Sequence, residues 1–182
     1  MREGIIIAGS GGQGVMLLGK ILAEAAMREN RQVTWLPAYG AEVRGGTAYC
    51  MVTISDKGIG SPYIEKADAL IIMNGPSWEK FKQRIKNKGL VLVNSSLADK
   101  NIEQKNVFIL KYPFTELALK LGNIKVANVI ALGCYLAKNK IIGLETVLKV
   151  IKDMAPRNKK ELARINEKAL LKGRDLIKLN NG

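Results

Sequence analysis

The chain has 182 residues, of which 47% are apolar, and this composition excludes a disordered protein and predicts a single domain over residues 1–182. It contains no histidine, which excludes Ser/His/Asp and Cys/His catalysis and every histidine-ligated metal site. Its two cysteines, Cys50 and Cys134, are too few and too far apart for an iron–sulfur cluster or a structural zinc. We therefore expect no catalytic residue and no metal ligand here, and we expect both cysteines to be buried as small apolar side chains.

The chain is strongly basic, with 29 Lys and Arg against 16 Asp and Glu and a net charge of +13. Such a charge attracts nucleic acids and acidic partners. The basic residues are spread along the chain and only 5% of all residues are aromatic, which argues against nucleic-acid binding. A solvated, lysine-rich surface is the favoured interpretation, and an acidic protein partner is the alternative.

The apolar runs are too short to cross a membrane, since the longest, residues 129–137, spans nine residues and includes a glycine. The apolar run near the N-terminus breaks at once into a glycine-rich segment, so a buried first strand explains it better than a signal peptide does. With unpaired cysteines and no predicted signal, the cytoplasm is the expected compartment.

The first part of the chain has the pattern of strands around one helix. A wholly apolar run at residues 5–8 is typical of a buried parallel strand, and residues 14–27 carry apolar side chains at helical spacing. Residues 33–36 predict a second strand that Pro37 ends, and residues 47–55 alternate between two faces as a third strand does. Because too few residues separate the second and third strands for a crossover helix, we expect part of the sheet to be antiparallel.

The rest of the chain turns from strands to helices. Further strands are predicted at residues 69–73, 90–94 and 106–110, with a charged helix between the first two at 77–86. Helices follow at residues 115–121, 126–137, 144–154 and from beyond Pro156 to about 179. The pattern predicts a three-layer α/β domain with a mixed sheet and a helical C-terminal cap.

Several polar segments in this region have a structural interpretation. Residues 74–76 and 94–96 each begin with asparagine after a predicted strand, so we expect turns or helix caps there, with an anion contact as the alternative at 94–96. A run of alternating basic residues is expected to form the solvated face of the charged helix: Lys80, Lys82, Arg84, Lys86 and Lys88.

The first candidate site is a glycine-rich loop between the first strand and the first helix, comprising Gly9, Ser10, Gly11, Gly12, Gln13 and Gly14. Its G-x-G-x-x-G spacing allows close approach of the backbone to a ligand, and a helix N-terminus offers N–H groups to an anion. A dinucleotide site also requires an acidic residue at the end of the second strand, and none stands there. The lysine of a P-loop is missing as well. A phosphate-bearing ligand or a protein contact is favoured over a purely structural turn and over NAD.

The second candidate site is the loop after the second strand, whose candidate residues are Tyr39, Glu42, Arg44, Gly45, Gly46 and Thr47. If the first two strands are parallel, both loops leave the same edge of the sheet, where open α/β sheets bind ligands. Arg44 either pairs with Glu42 to hold the loop or faces an anionic ligand or a partner carboxylate, and we favour the second interpretation.

Taken together, these segments resemble the gamma subunit of 2-oxoacid:ferredoxin oxidoreductases. The likeness extends over nearly the whole chain and is carried by residues 9–15, 39–48, 59–62, Asp68 and 128–133. The Glu-Val-Arg-Gly-Gly-Thr sequence of the second loop resembles the 2-oxoglutarate enzymes more than the pyruvate enzymes, with the 2-oxoisovalerate enzymes next.

The resemblance implies a Rossmann-like domain that does not use NAD and that packs, without catalytic residues, in a multi-subunit enzyme. In that family thiamine diphosphate and magnesium lie between alpha and beta subunits, and iron–sulfur clusters pass electrons to ferredoxin. Coenzyme A accepts the acyl group. The implied partners are the alpha and beta subunits and, in some enzymes, a small ferredoxin-like delta subunit. The two glycine-rich loops are the candidates for contact with coenzyme A or partner chains, and the isolated chain is expected to be inactive. The alternative is a free-standing nucleotide-binding module.

Overall fold

A computed structural model describes residues 1–38, 47–99, 101–155 and 160–179. Within these residues six strands form one sheet in the order β2-β3-β1-β4-β5-β6. Their bounds are Arg2–Ser10 (β1), Gln32–Ala38 (β2), Thr47–Ser55 (β3), Ala67–Ile72 (β4), Ile85–Asn94 (β5) and Phe108–Tyr112 (β6). The apolar first strand is central, as its composition predicts, and it pairs parallel to β4 and antiparallel to β3. The sheet is therefore mixed, and the expected antiparallel part is the β2–β3–β1 region.

Helices cover both faces of the sheet, though unequally. Their bounds are Val15–Arg28 (α1), Gly75–Phe81 (α2), Phe114–Lys120 (α3), Ala127–Asn139 (α4), Leu144–Met154 (α5) and Lys160–Leu179 (α6). The larger core lies between one face and side chains of α1, α3, α4, α5 and α6. The smaller core contains Trp78 and Phe81 of α2 together with Ile64 and Ile102 from connecting segments. The predicted α/β domain with a mixed sheet and helical C-terminal part is confirmed.

The strand predicted at residues 106–110 is shifted to Phe108–Tyr112, and two further predicted boundaries are wrong. Pro37 does not end the second strand but lies inside β2, opposite Cys50. β2 is an edge strand that is hydrogen-bonded only to β3, so there is no second neighbouring strand to which Pro37 would have to donate an N–H. The charged helix ends at Phe81 rather than residue 86, and a short 3-10 turn, Lys82–Arg84, leads into β5. The segment from Ile85 onward forms a strand and not a helix because Ile85 is buried and pairs with Ala67 of β4.

Lys86 and Lys88 therefore lie on the first residues of a strand, not on a helix. Both remain exposed, as the prediction of a solvated face required.

The closest packing between helices joins α4 and α6. A Cβ atom placed on Gly133 would lie within 3.1 Å of the Arg174 amide nitrogen, and one placed on Gly173 within 2.8 Å of the Cys134 amide nitrogen. Real Cβ atoms essentially never make contacts as short as 2.8 Å, and a contact of 3.1 Å is tighter than nine in ten of theirs. The two glycines therefore allow the helix backbones to touch directly.

Both cysteines are fully buried, as expected from the sequence. Burial raises the pKa of the Cys50 thiol and of the Cys134 thiol to about 12 in each case. The helices in the described residues include none that is both long enough and apolar enough to cross a membrane.

Candidate functional site

The two predicted loops leave the sheet at one edge. β1 and β2 are each antiparallel to β3, so they run parallel to one another and end on the same side. Thr47 pairs with Ser10, which places the end of the second loop directly beside the first. Because β4, β5 and β6 also run parallel to β1, their last residues reach this side too, and we call it the carboxyl edge.

The structure places only part of the second loop. Thr47 is half-buried at the start of β3. The remaining candidates of this loop lie outside the described residues: Tyr39, Glu42, Arg44, Gly45 and Gly46. Their role in ligand or partner contact stays a prediction.

Gln13 holds the glycine-rich loop closed on itself and on the neighbouring strand end. Its Oε1 accepts a hydrogen bond from the Ser10 amide at 2.6 Å, and its Nε2 donates to the Met73 carbonyl oxygen at 3.3 Å. A backbone hydrogen bond from Gln13 N to Ser10 O closes the turn. Both ends of this side chain are therefore engaged within the protein.

Ser10 is also engaged, through α2. Its hydroxyl accepts a hydrogen bond from Asn74 Nδ2 at 2.5 Å, while Asn74 Oδ1 caps α2 by accepting from the Ser77 amide at 3.0 Å. The expected turn or cap at Asn74 is thus confirmed. The same side chain fixes the position of the glycine-rich loop.

Asn94 plays the corresponding role at the end of β5. Its Nδ2 donates to the Met73 carbonyl oxygen at 3.2 Å and to Thr115 Oγ1 at 2.8 Å. Its Oδ1 accepts from the Ser96 amide at 3.4 Å, which confirms the expected turn at residues 94–96, and also from the Thr115 amide at 3.3 Å. The Met73 carbonyl thereby joins three neighbouring elements: the loop, β4 and β5.

The glycines of the loop have different functions. A side chain at Gly9 would lie 2.9 Å from Met73 Cβ, so this glycine permits the close approach of β1 and β4. Gly14, at φ 71°, takes the left-handed conformation before α1, and its carbonyl oxygen accepts a hydrogen bond from Asn128 Nδ2 at 3.0 Å. Gly11 and Gly12 are exposed, and a Cβ atom on either would meet open space. The outward surface of the loop is therefore formed by Gly11 and Gly12.

α1 begins behind this surface with no side-chain cap and no acidic residue in its first turn. The unpaired N–H groups at a helix start and the helix dipole favour an anion or a partner carbonyl at such a position. No side chain caps this end of α1, and the Asn128 side chain lies against the N-cap residue, Gly14.

A cavity of about 190 Å³ opens beside the loop, lined by Gly12, Gln13, Met73, Leu97, Thr115, Ile124, Lys125 and Ala127. Leu97 and Ile124 remain 48% and 53% exposed, which gives the cavity an apolar rim. Lys125 supplies a cationic side chain at the same place. The arrangement can hold a ligand with an apolar part and an anionic part, or the surface of another chain.

Sequence reasoning missed Leu97, Thr115, Ile124 and Lys125 as site residues. Lys125 stands in a short 3-10 turn, Ile124–Val126, that enters this edge from the far end of the chain. Nothing in its local pattern separates it from the many surface lysines. Asn128 did stand within a segment that carried the family resemblance, but only its hydrogen bond to Gly14 gives it a role in the loop.

The fold and the carboxyl edge together define an α/β domain with a mixed sheet and a glycine-rich loop between its central strand and its first helix. A sequence model of the pyruvate ferredoxin/flavodoxin oxidoreductase family matches residues 4–176, and the chain belongs to this family.

Two curated relatives differ in how much of their length is matched. The ketoisovalerate oxidoreductase subunit VorA of Methanothermobacter marburgensis is 40% identical over 139 residues, which cover 76% of this chain and 29% of VorA. The 2-oxoglutarate synthase subunit KorC of Methanocaldococcus jannaschii is 35% identical over 164 residues and 88% of each chain. The chain thus spans less than a third of VorA but nearly the whole of KorC.

Solved structures have the same fold. The gamma subunit of a keto/oxoacid ferredoxin oxidoreductase from Geobacter sulfurreducens superposes with a TM-score of 0.82 at 30% identity, covering 95% of this chain and 96% of that one. The 2-oxoglutarate:ferredoxin oxidoreductase of Magnetococcus marinus, solved with 2-oxoglutarate, coenzyme A and succinyl-CoA bound, gives a TM-score of 0.89 at 26% identity. This second match covers 98% of the present chain and 31% of the longer one. The fold expected from the gamma-subunit resemblance is confirmed.

Proposed function

We propose that the chain is the gamma subunit of a multi-subunit 2-oxoacid:ferredoxin oxidoreductase that acts on 2-oxoglutarate. The observation that carries the proposal is the end-to-end match with KorC, which covers 88% of both chains. The superposition on a gamma subunit of nearly equal length supports the same assignment. The reaction would convert the 2-oxoacid and coenzyme A to an acyl-CoA and carbon dioxide, with two electrons passing to ferredoxin.

In this proposal the chain contributes a binding surface and no catalytic group. Carbanion stabilisation and electron transfer require thiamine diphosphate with magnesium and iron–sulfur clusters, which would reside on the alpha and beta subunits or on a small delta subunit. A chain with no histidine and two buried cysteines supplies few ligands for such groups. The buried free thiols also support a cytoplasmic location, where thiols stay reduced.

The carboxyl edge is the proposed contact with coenzyme A and with the partner subunits. Gly11 and Gly12 leave room for a phosphate near the start of α1, and Lys125 offers a cation at the cavity. The exposed Leu97 and Ile124 provide apolar surface for a pantetheine arm or a partner side chain. Arg44, in the neighbouring loop, would add a second cation to this anion-binding surface.

The 2-oxoisovalerate enzyme is the second candidate, because the identity to VorA reaches 40%. A subunit shared by pyruvate and ketoisovalerate enzymes in Thermococcus litoralis is less similar, at 28% identity over 152 residues. The substrate pocket of the proposed enzyme would lie on other chains, so an assay of the complex must decide between these acids. A free-standing nucleotide-binding module, the alternative from another class, would bind its ligand without any partner.

The test is to tag the chain, isolate it from its native host without oxygen, and measure viologen reduction with 2-oxoglutarate, 2-oxoisovalerate and pyruvate, each with and without coenzyme A. We expect larger chains to co-elute and 2-oxoglutarate to give the highest coenzyme A-dependent rate. A higher rate with 2-oxoisovalerate would replace the proposed substrate. A chain that elutes alone and shows no activity would refute the subunit assignment.

A charge reversal in the complex tests the carboxyl edge. Lys125→Glu should raise the KM for coenzyme A by about tenfold, the value of one charge-assisted hydrogen bond, and leave the KM for the 2-oxoacid unchanged. Lys120→Glu is the matched control, because Lys120 is equally exposed on α3 and does not line the cavity. Equal KM values in the two variants would exclude Lys125 from coenzyme A binding.

A further inference from the structure

The opposite end of the sheet, which we call the amino edge, carries two adjoining cavities of about 380 Å³ each. One lies between the starts of β1, β4 and β5 and the end of α4, and the other between the starts of β5 and β6. They share Asn87, Lys88 and Phe108 in their linings. The space available is that of a small-molecule site.

Phe108 is unusual for a residue of a parallel strand. It lies in β6 opposite Leu90 of β5, on the face of the sheet that carries the larger core, yet the residue is 61% exposed. It is the most exposed of the large apolar side chains among the described residues. An aromatic ring left open at the mouth of two cavities offers a stacking surface.

Lysine residues line the same cavities as Phe108. Lys88 lines both cavities and Lys138, at the end of α4, lines the first. Lys86 pairs with Asp68 at 2.6 Å, whereas the salt bridges found among the described residues include neither Lys88 nor Lys138. Two ammonium groups are thus available to an anion at this end of the sheet.

Carboxylates form the inner wall of the first cavity. Glu3 Oε1 accepts hydrogen bonds from Asn139 Nδ2 at 2.5 Å and from the buried Tyr135 hydroxyl at 3.2 Å. Asp68 Oδ2 accepts from the Gly4 amide at 2.8 Å. These contacts fix both carboxyl groups in place, and a carboxylate has lone pairs for further donors such as sugar hydroxyls.

The backbone at the cavity mouth is held in an uncommon conformation. Lys88 and Asn106 both adopt φ 61°, in the left-handed region, and the Lys88 amide donates to the Asn106 carbonyl oxygen at 2.6 Å. For a lysine this conformation costs about 1 kcal/mol or more.

We propose that the amino edge binds a nucleoside phosphate, with the base stacked on Phe108, the sugar hydroxyls near Glu3 and Asp68, and the phosphates at Lys88 and Lys138. An aromatic surface, fixed carboxylates and available cations match the three parts of such a ligand, and a fixed acidic residue recognises ribose hydroxyls in other nucleotide sites. This site is separate from the carboxyl edge, where the proposed coenzyme A contact lies. Because coenzyme A itself contains a nucleoside phosphate, free nucleotides and coenzyme A are the two sources to distinguish.

The test uses the full chain and titrates it with ADP, coenzyme A or inorganic phosphate by calorimetry. We expect saturable ADP binding that Lys88→Glu and Phe108→Leu each weaken by roughly tenfold, since stacking and one phosphate contact contribute comparable free energies. Phe108→Leu keeps an apolar side chain of similar size on an exposed position, so it tests the ring without unfolding the strand. Lys120→Glu, at a residue that lines neither cavity, should leave ADP binding unchanged.

Weaker coenzyme A binding in Lys88→Glu would support the site, identify coenzyme A as its source of nucleotide, and move the proposed coenzyme A contact from the carboxyl edge to the amino edge. The proposal is overturned if ADP does not bind saturably, if inorganic phosphate competes as well as ADP, or if only Lys125→Glu abolishes binding. It is also overturned if Phe108→Leu leaves ADP binding intact and instead weakens association with partner subunits, which would make Phe108 a protein contact.

Discussion

Replacement of Gly173 by alanine tests whether direct backbone contact between α4 and α6 holds the C-terminal helices in place. A Cβ atom at this position would lie 2.9 Å from the Ile130 carbonyl carbon and 2.8 Å from the Cys134 amide nitrogen, and closer still to the Ile130 carbonyl oxygen. Ordinary van der Waals contact begins at 3.4 Å, so the helices must separate by at least about 0.6 Å. No side chain can rotate away, because the obstructing atoms belong to the backbone.

Two opposing effects set the magnitude. Alanine is the better helix former by about 1 kcal/mol, which alone would stabilise α6. Forcing extra volume into a close-packed contact costs about 1–3 kcal/mol or more, and a backbone obstacle belongs at the upper end of this range. We expect a net loss of about 2 kcal/mol in the free energy of unfolding, which corresponds to a fall in Tm of roughly 4–8 °C for a chain of this size.

The assay is thermal and urea-induced unfolding followed by circular dichroism. Gly60→Ala is the matched control, because a Cβ atom there meets open space and Gly60 has no left-handed φ. The control should change Tm by little. A Gly173→Ala variant as stable as the wild type or more stable would show that helix propensity outweighs the contact, and our account of the α4–α6 packing would be wrong.

Three further predictions concern other buried groups. The thiols of Cys50 and Cys134, each with a pKa of about 12, should not react with Ellman's reagent at pH 8 until denaturant unfolds the chain, and rapid labelling of the native protein would contradict their burial. Burial, reinforced by the Asp68 carboxylate, raises the pKa of Glu3 above its ordinary 4.5. The folded state therefore favours the protonated form of Glu3, which contributes to stability at low pH. This stabilisation is lost as pH rises through the folded-state pKa of Glu3. Urea unfolding of wild type and Glu3→Gln should show the variant gaining stability relative to wild type as pH rises above 4.5, whereas a constant difference would contradict the shift. Asn128→Ala should lower the unfolding free energy by about 0.5–1.5 kcal/mol, measured in the same way, because the Gly14 carbonyl loses its side-chain donor and keeps the Leu18 amide, and an unchanged value would show that the lost hydrogen bond contributes nothing.

Most of the secondary structure could be predicted because it depends on local patterns. The wholly apolar run of β1, the alternation over β3 and the helical spacing of α1 each repeat with the period of the structure they form. Where the prediction failed, a tertiary contact decided. Ile85 joins the sheet beside Ala67, so the basic segment before Gly89 became a strand although its composition suited a helix.

The candidate site was predictable only in part. The spacing of its glycines predicted the glycine-rich loop. The pairing of β1 with β3 places Ser10 of this loop beside Thr47, as expected for two loops at one edge of the sheet. The sequence did not reveal that Ser10 and Gln13 are engaged in internal hydrogen bonds while Gly11 and Gly12 face outward. Partners such as Asn74 lie far away along the chain, and a motif says nothing about which distant side chains it meets.

By itself the sequence determined the class of fold, the position of the glycine-rich loop and the absence of histidine chemistry, since these follow from composition and short-range periodicity. Only the tertiary structure decided that Lys125 joins the carboxyl edge, that Asn128 binds Gly14 across 114 residues, and that Phe108 stays exposed at the amino edge. Each of these depends on how the helices in the C-terminal part of the chain pack onto a sheet built from residues that precede them. That packing is set by the summed burial of many apolar side chains, not by the identity of any neighbouring residues along the sequence.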